Sequence, residues 1–174
     1  MRIIRGYVKY VDLINEWLAK SFAWLIVALV LGMVYSTLMR YAFHRAPLWT
    51  YDFTYMAYAV FFMMGAAYTL RLRGHVRVDV IYRFLSPRGQ ALLDMFFSLL
   101  CFFPLFFMLI YFSMDNVIFS WQVKERAVES ILRAPIYPLK TVIPLVSLML
   151  LLQGVAEFIR DLYTVINRGR PEWK

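Results

Sequence analysis

SFAWLIVALVLGMVYSTLM, residues 21–39, contains no charged side chain. At ~1.5 Å of rise per residue, a helix of this length reaches across the ~30 Å hydrocarbon core of a bilayer. Three further charge-free runs follow, at residues 53–70, 95–114 and 141–156. The first and third runs meet the required length alone, and the other two need flanking residues. The pattern predicts an all-α integral membrane bundle of four transmembrane helices, with spans at about 20–41, 52–71, 93–115 and 136–158. The composition agrees, with 62% hydrophobic and 18% aromatic residues among 174 and a mean hydropathy of +0.61. The length accommodates one bundle and no second domain.

Residues 3–18 form a separate element. Ile3, Ile4, Tyr7, Val11, Ile14 and Leu18 recur at helical spacing, with Arg5, Lys9, Asp12 and Glu16 on the other face. That pattern predicts an amphipathic helix lying in the membrane interface. No signal-peptide core with a small-residue cleavage site follows the N-terminal basic residues. Cationic residues favour cytoplasmic loops. The amino tail, second loop and carboxyl tail carry 13 of them against 6 in the other two loops, so both termini are expected in the cytoplasm.

Small residues Ala28, Gly32 and Ser36 recur every fourth position in the first span, and Gly65, Ala66 and Ala67 make a thin patch in the second. Both allow close helix contact, within the bundle or with another subunit. Trp24, Tyr41, Trp49, Tyr51, Trp121 and Tyr137 fall near span ends, as interfacial aromatics do. Ser86-Pro87 reads as an N-cap with proline in the first turn, and Pro104 predicts a kink in the third span. Beyond the fourth run, Phe158, Ile159, Leu162 and Ile166 keep one apolar stripe, so that helix is expected to continue past the bilayer.

The chemistry is sparse. The four runs contain no Asp, Glu, Lys, Arg or His, whereas intramembrane ionisable groups normally mark proton or ion paths. Asp52, Asp94, Asp115 and Glu157 stand at run edges and read as interfacial charges. His44 and His75 belong to loops on opposite faces, which disfavours a bis-histidine haem and a zinc centre. Cys101 is the single cysteine and reads as a packed apolar thiol. No phosphate loop or activated nucleophile is present, so no cofactor is expected. The basic residues bracket apolar spans, which argues against nucleic-acid binding. No paired broken spans point to a midplane substrate site. An accessory membrane subunit with no enzymatic activity fits these absences. The rival is the membrane anchor of a quinone- or haem-linked enzyme.

An ordered series of loop residues narrows the choice. Arg40-Tyr41-Ala42-Phe43 closes the first span and Pro47-Leu48-Trp49-Thr50-Tyr51-Asp52 opens the second. Gly65-Ala66-Ala67-Tyr68 and Gly74-His75-Val76-Arg77-Val78-Asp79 follow. Then come Glu129-Ser130, Ala134-Pro135-Ile136-Tyr137-Pro138-Leu139-Lys140, Ile143-Pro144 and Leu152-Gln153-Gly154. Over about residues 20–165 this series resembles the small membrane, DctQ-like subunit of tripartite ATP-independent periplasmic (TRAP) transporters. Its wording is closest to the branch labelled mannitol/chloroaromatic, with Asp52 where the family often has Glu. The resemblance implies a bacterial inner-membrane protein whose partners are a large membrane subunit and a periplasmic solute-binding protein. In that arrangement the large subunit carries an organic solute, usually a carboxylate, inward with sodium, and the small one braces it. Ala28, Gly32, Ser36, Arg40, Trp49, Asp52, Gly65, His75, Arg77, Asp79 and Glu129 are then the candidates for subunit contact or for fixing the loops.

Overall fold

The computed structural model describes residues 2–45, 47–72, 85–128 and 130–167. The described residues are helical apart from turns and one isolated bridge, with no strand among them. α1 is Arg2–Ala23, α2 Leu25–Phe43, α3 Trp49–Arg71 and α4 Pro87–Phe97. A π-helical turn at Ser98–Phe102 leads into α5, Phe103–Gln122, and α6 is Tyr137–Asn167. Among the described residues, four helical stretches are long and apolar enough to cross a membrane: Arg5–Phe43, Trp49–Arg71, Arg88–Gln122 and Tyr137–Ile166.

Local chemistry explains the boundaries. Trp24 alone separates α1 from α2, and it keeps helical dihedrals. α2 stops at His44, which adopts a left-handed conformation with φ 50°. α4 starts where the sequence predicts: Ser86 Oγ accepts the Gly89 N–H at 3.3 Å, and Pro87 stands in the first turn. Pro104 has no N–H to donate and its ring crowds the carbonyl four residues back. The chain absorbs this as the π turn, where the Phe103 N–H reaches Ser98 O. The expected disturbance at Pro104 thus takes the form of one widened turn.

α6 organises the bundle by packing against α1, α3, α4 and α5, while α2 packs chiefly on α3. The central core joins Met64 and Ala67 of α3 to Val146, Met149 and Leu150 of α6, flanked by Phe22, Phe102 and Phe106. A second cluster joins Val8 and Val11 to Ala156. Gly154 permits close packing of Phe102 on α6, because a Cβ built there falls 2.3 Å from Phe102 Cε1. Cys101, read from sequence as packed, is exposed on the π turn, where it lines an open groove with Leu70 and Leu150.

Candidate functional site

The described charged side chains gather at the two ends of the bundle. At the end shared by the start of α1, the end of α3 and the end of α6, three helices meet through a buried polar network. α1 contributes Asp12, Asn15 and Glu16 at spacings of three and four, which place them on one face. α6 contributes Gln153, Glu157 and Arg160 at the same helical period, and α3 contributes its last residue, Arg71.

The hydrogen bonds run continuously from α1 to α6. Asn15 Nδ2 donates to Gln153 Oε1 at 2.6 Å, and Gln153 Nε2 donates to Asp12 Oδ1 at 3.0 Å. Arg160 donates one guanidinium nitrogen to Asp12 Oδ2 and another to Glu157 Oε1. Arg71 Nη1 donates to Glu16 Oε2 at 2.6 Å, and its Nε lies 3.7 Å from Asp12 Oδ1. Lys20 Nζ donates to Glu16 Oε1 at 2.6 Å. Gln153 is fully buried, and Asp12 and Arg160 are only 7% and 4% exposed. Three carboxylates therefore face three cations, which is how buried charge becomes tolerable. Arg71 also stands at the C-terminus of α3, where the helix dipole favours a cation.

This arrangement reverses one expectation. Asp12 was assigned to the outward polar face of α1, yet Val8, Val11, Asp12 and Asn15 point inward while Tyr10, Leu13, Ile14 and Trp17 are exposed. On α6, Ile159 of the apolar stripe packs against the Val8 cluster, Leu162 and Ile166 are exposed, and Arg160, Asp161 and Thr164 are buried. The physical reason is the solvent: apolar side chains lose nothing by facing lipid, whereas polar ones must find each other. Glu157, read as an interfacial charge, is an ion-pair partner of Arg160.

At the opposite end, the turn between α2 and α3 is tied to the loop between α5 and α6. Ser130 Oγ donates to Asp52 Oδ2 at 2.5 Å, and both residues are buried. Asp52 was expected at a water-accessible edge, but the Ser130 loop covers it. The same hydroxyl accepts the Leu132 N–H at 3.1 Å. The loop folds back on itself through Ala127 N–H to Ala134 O at 2.9 Å and Ile136 N–H to Glu125 O at 3.1 Å. Lys124 and Arg133 make its turns with φ 48° each. Lys140 Nζ meets Glu125 Oε2 at 2.5 Å, and this bond holds the Glu125 carboxyl below its usual range. Trp121 Nε1 donates to Thr141 Oγ1 at 2.9 Å, joining α5 to α6.

The remaining sequence candidates separate. Gly32 is buried, with its built Cβ 3.6 Å from the Phe53 ring, and Ala28 and Ser36 are half-buried beside it. Trp49 is half exposed between the Tyr35 and Phe53 rings, at 5.9 and 6.2 Å. Arg40 is exposed at the end of α2. Gly65 meets nothing within 4 Å of a built Cβ, so no neighbouring helix uses its small size. His75, Arg77, Asp79 and Glu129 lie outside the described residues. Asp12, Asn15, Arg71 and Arg160 were missed. The available signal was the matching i, i+4 polar spacing on α1 and α6.

Among the described residues, no three His, Cys, Asp or Glu side chains converge to hold a metal ion. What the two clusters can do is fix helices relative to one another. A family profile described as "Tripartite ATP-independent periplasmic transporters, DctQ component" matches residues 29–164, from α2 to near the end of α6. No curated protein and no solved structure matches the chain.

Proposed function

Because the chain belongs to the DctQ component family of tripartite ATP-independent periplasmic transporters and is a small permease subunit, we propose that it acts as a fixed brace for the large transport subunit. The observation that carries this reading is the distribution of charge. The described Asp, Glu, Lys and Arg side chains of the four helices stand at the two ends, and the stretches between them carry no charge. A protein that moves a solute itself needs polar groups near the midplane. A brace needs rigid ends and an apolar lateral surface, and Ile26, Val30, Leu31, Val34 and Leu38 of α2 supply exposed apolar area.

In this reading both termini are cytoplasmic, which the basic asymmetry supports, and α1 lies in the cytoplasmic interface. The polar network fixes that end, and the Asp52–Ser130 tie fixes the periplasmic end. The assembled transporter takes up an organic solute, a carboxylate, with sodium, and a periplasmic binding protein delivers it. The wording of residues 49–52 and 74–79 supports the mannitol/chloroaromatic-labelled branch. The chain itself performs no catalysis and contributes no solute contact.

Affinity capture of the full chain, co-expressed with the large membrane subunit of the same transporter, tests the proposal. The two should co-purify at fixed stoichiometry in detergent, without a Soret band. Purification of the chain with haem, or without the large subunit, would contradict it.

A further inference from the structure

We infer that the groove between the end of α2 and the start of α3 is a phospholipid site that holds the headgroup phosphate at Arg40. The groove encloses about 640 Å³ and is lined by Ser36, Arg40, Tyr41, Thr50, Tyr51 and Tyr55 among others. Arg40 is exposed, and no described carboxylate is paired with it. At this end Asp52 is engaged by Ser130 and Glu125 by Lys140. A guanidinium is suited to phosphate because its donors form a planar fork.

A second observation points to a missing partner. Thr50 lines the same groove and is 4% exposed, yet its Oγ1 has no hydrogen-bond partner. Buried hydroxyls are nearly always paired. Thr50 also stands in the first turn of α3, whose N-cap Leu48 supplies no side-chain acceptor.

Depth selects a lipid over a soluble anion. Met33 lines the groove seven residues before Arg40, about 10 Å lower along the helix. Arg40 follows the last residue of the charge-free run, so the groove starts at headgroup level and descends into the acyl region. Tyr41 and Tyr51 are exposed at its rim, where aromatic belts meet headgroups. A free anion would use only the upper end, whereas a phospholipid fills both.

The test is native mass spectrometry of the full chain in detergent, titrated with phosphatidylglycerol, with diacylglycerol and with inorganic phosphate. Phosphatidylglycerol should bind, and Arg40→Ala should weaken it about tenfold or more, the worth of one charge-assisted contact. Thr50→Val should weaken it less and leave the melting temperature unchanged or higher, since its hydroxyl has no protein partner to lose. Arg126→Ala, an exposed cation at the same end, should leave affinity unchanged. Equal losses for Arg40→Ala and Arg126→Ala would reduce the effect to diffuse charge and overturn the site. Equal binding of diacylglycerol would overturn the role of phosphate. Displacement of the lipid by millimolar inorganic phosphate would make it a free-anion site and overturn the lipid assignment.

Discussion

Replacing Asp12 by leucine removes the carboxylate on which the network of the terminal end converges. Asp12 Oδ1 accepts from Gln153 and its Oδ2 from Arg160, and its side chain is only 10% exposed. Without it, Arg160 keeps Glu157 but remains 5% exposed with half its pairing gone. Gln153, fully buried, loses the acceptor for its Nε2. Breaking one side of a buried ion pair costs about 3–5 kcal/mol, because the remaining charge is left uncompensated. For a chain of this size that corresponds to a melting temperature lower by about 10 °C. Differential scanning fluorimetry of the detergent-solubilised full chain reads this directly. Arg160→Met should cost a similar amount. The double variant Asp12→Leu/Arg160→Met should cost less than the two single losses added, by about 2 kcal/mol, since neither charge then remains to be orphaned. Strictly additive losses, or an Asp12→Leu melting temperature within about 2 °C of wild type, would show that the pair does not hold α1 against α6.

Other consequences follow from the same contacts. Gly154→Ala places a methyl against the Phe102 ring and should destabilise by about 1–3 kcal/mol, with partial rescue by Phe102→Leu in the same melting assay. Gly32→Ala should be tolerated, because its Cβ would sit at an ordinary 3.6 Å from Phe53. Gly32→Leu should loosen α2 from α3 and lower the melting point of the isolated chain. Glu125 is depressed by Lys140 below its ordinary value of 4.5, so its contribution is complete above that value and fades as pH falls through the folded pKa. The advantage of wild type over Glu125→Gln should therefore stay flat from about pH 8 to 5 and shrink below about pH 4.5, as measured by thermal melts across pH.

Much of the fold was legible because a bilayer imposes a length rule that the charge-free runs satisfy. Ser86-Pro87 announced α4 and Pro104 announced the disturbance before α5, since capping and proline act locally. The faces of α1 and α6 were harder. An apolar stripe in water points to a core, but beside lipid its members divide, with Val11, Leu18 and Ile159 packing inward and Ile14, Leu162 and Ile166 exposed, and the sequence pattern alone carries no record of which solvent each meets. The polar network was hidden for a second reason. Asp12 and Gln153 are far apart in the chain, and their pairing depends on α1 lying against α6. The ordered loop between α5 and α6 gave no turn signal either, because its left-handed positions are Lys124 and Arg133 rather than glycine or asparagine. Gly32, in contrast, was flagged by spacing alone, and its neighbour is Phe53 of the same chain.

The central claim is that this subunit braces and does not carry. Proteoliposomes containing the chain alone, given a sodium gradient and the solute with its binding protein, test that claim most directly. They should show no uptake above empty vesicles, and uptake should appear when the large subunit is reconstituted beside it. Sodium-driven accumulation by the single chain would contradict the account.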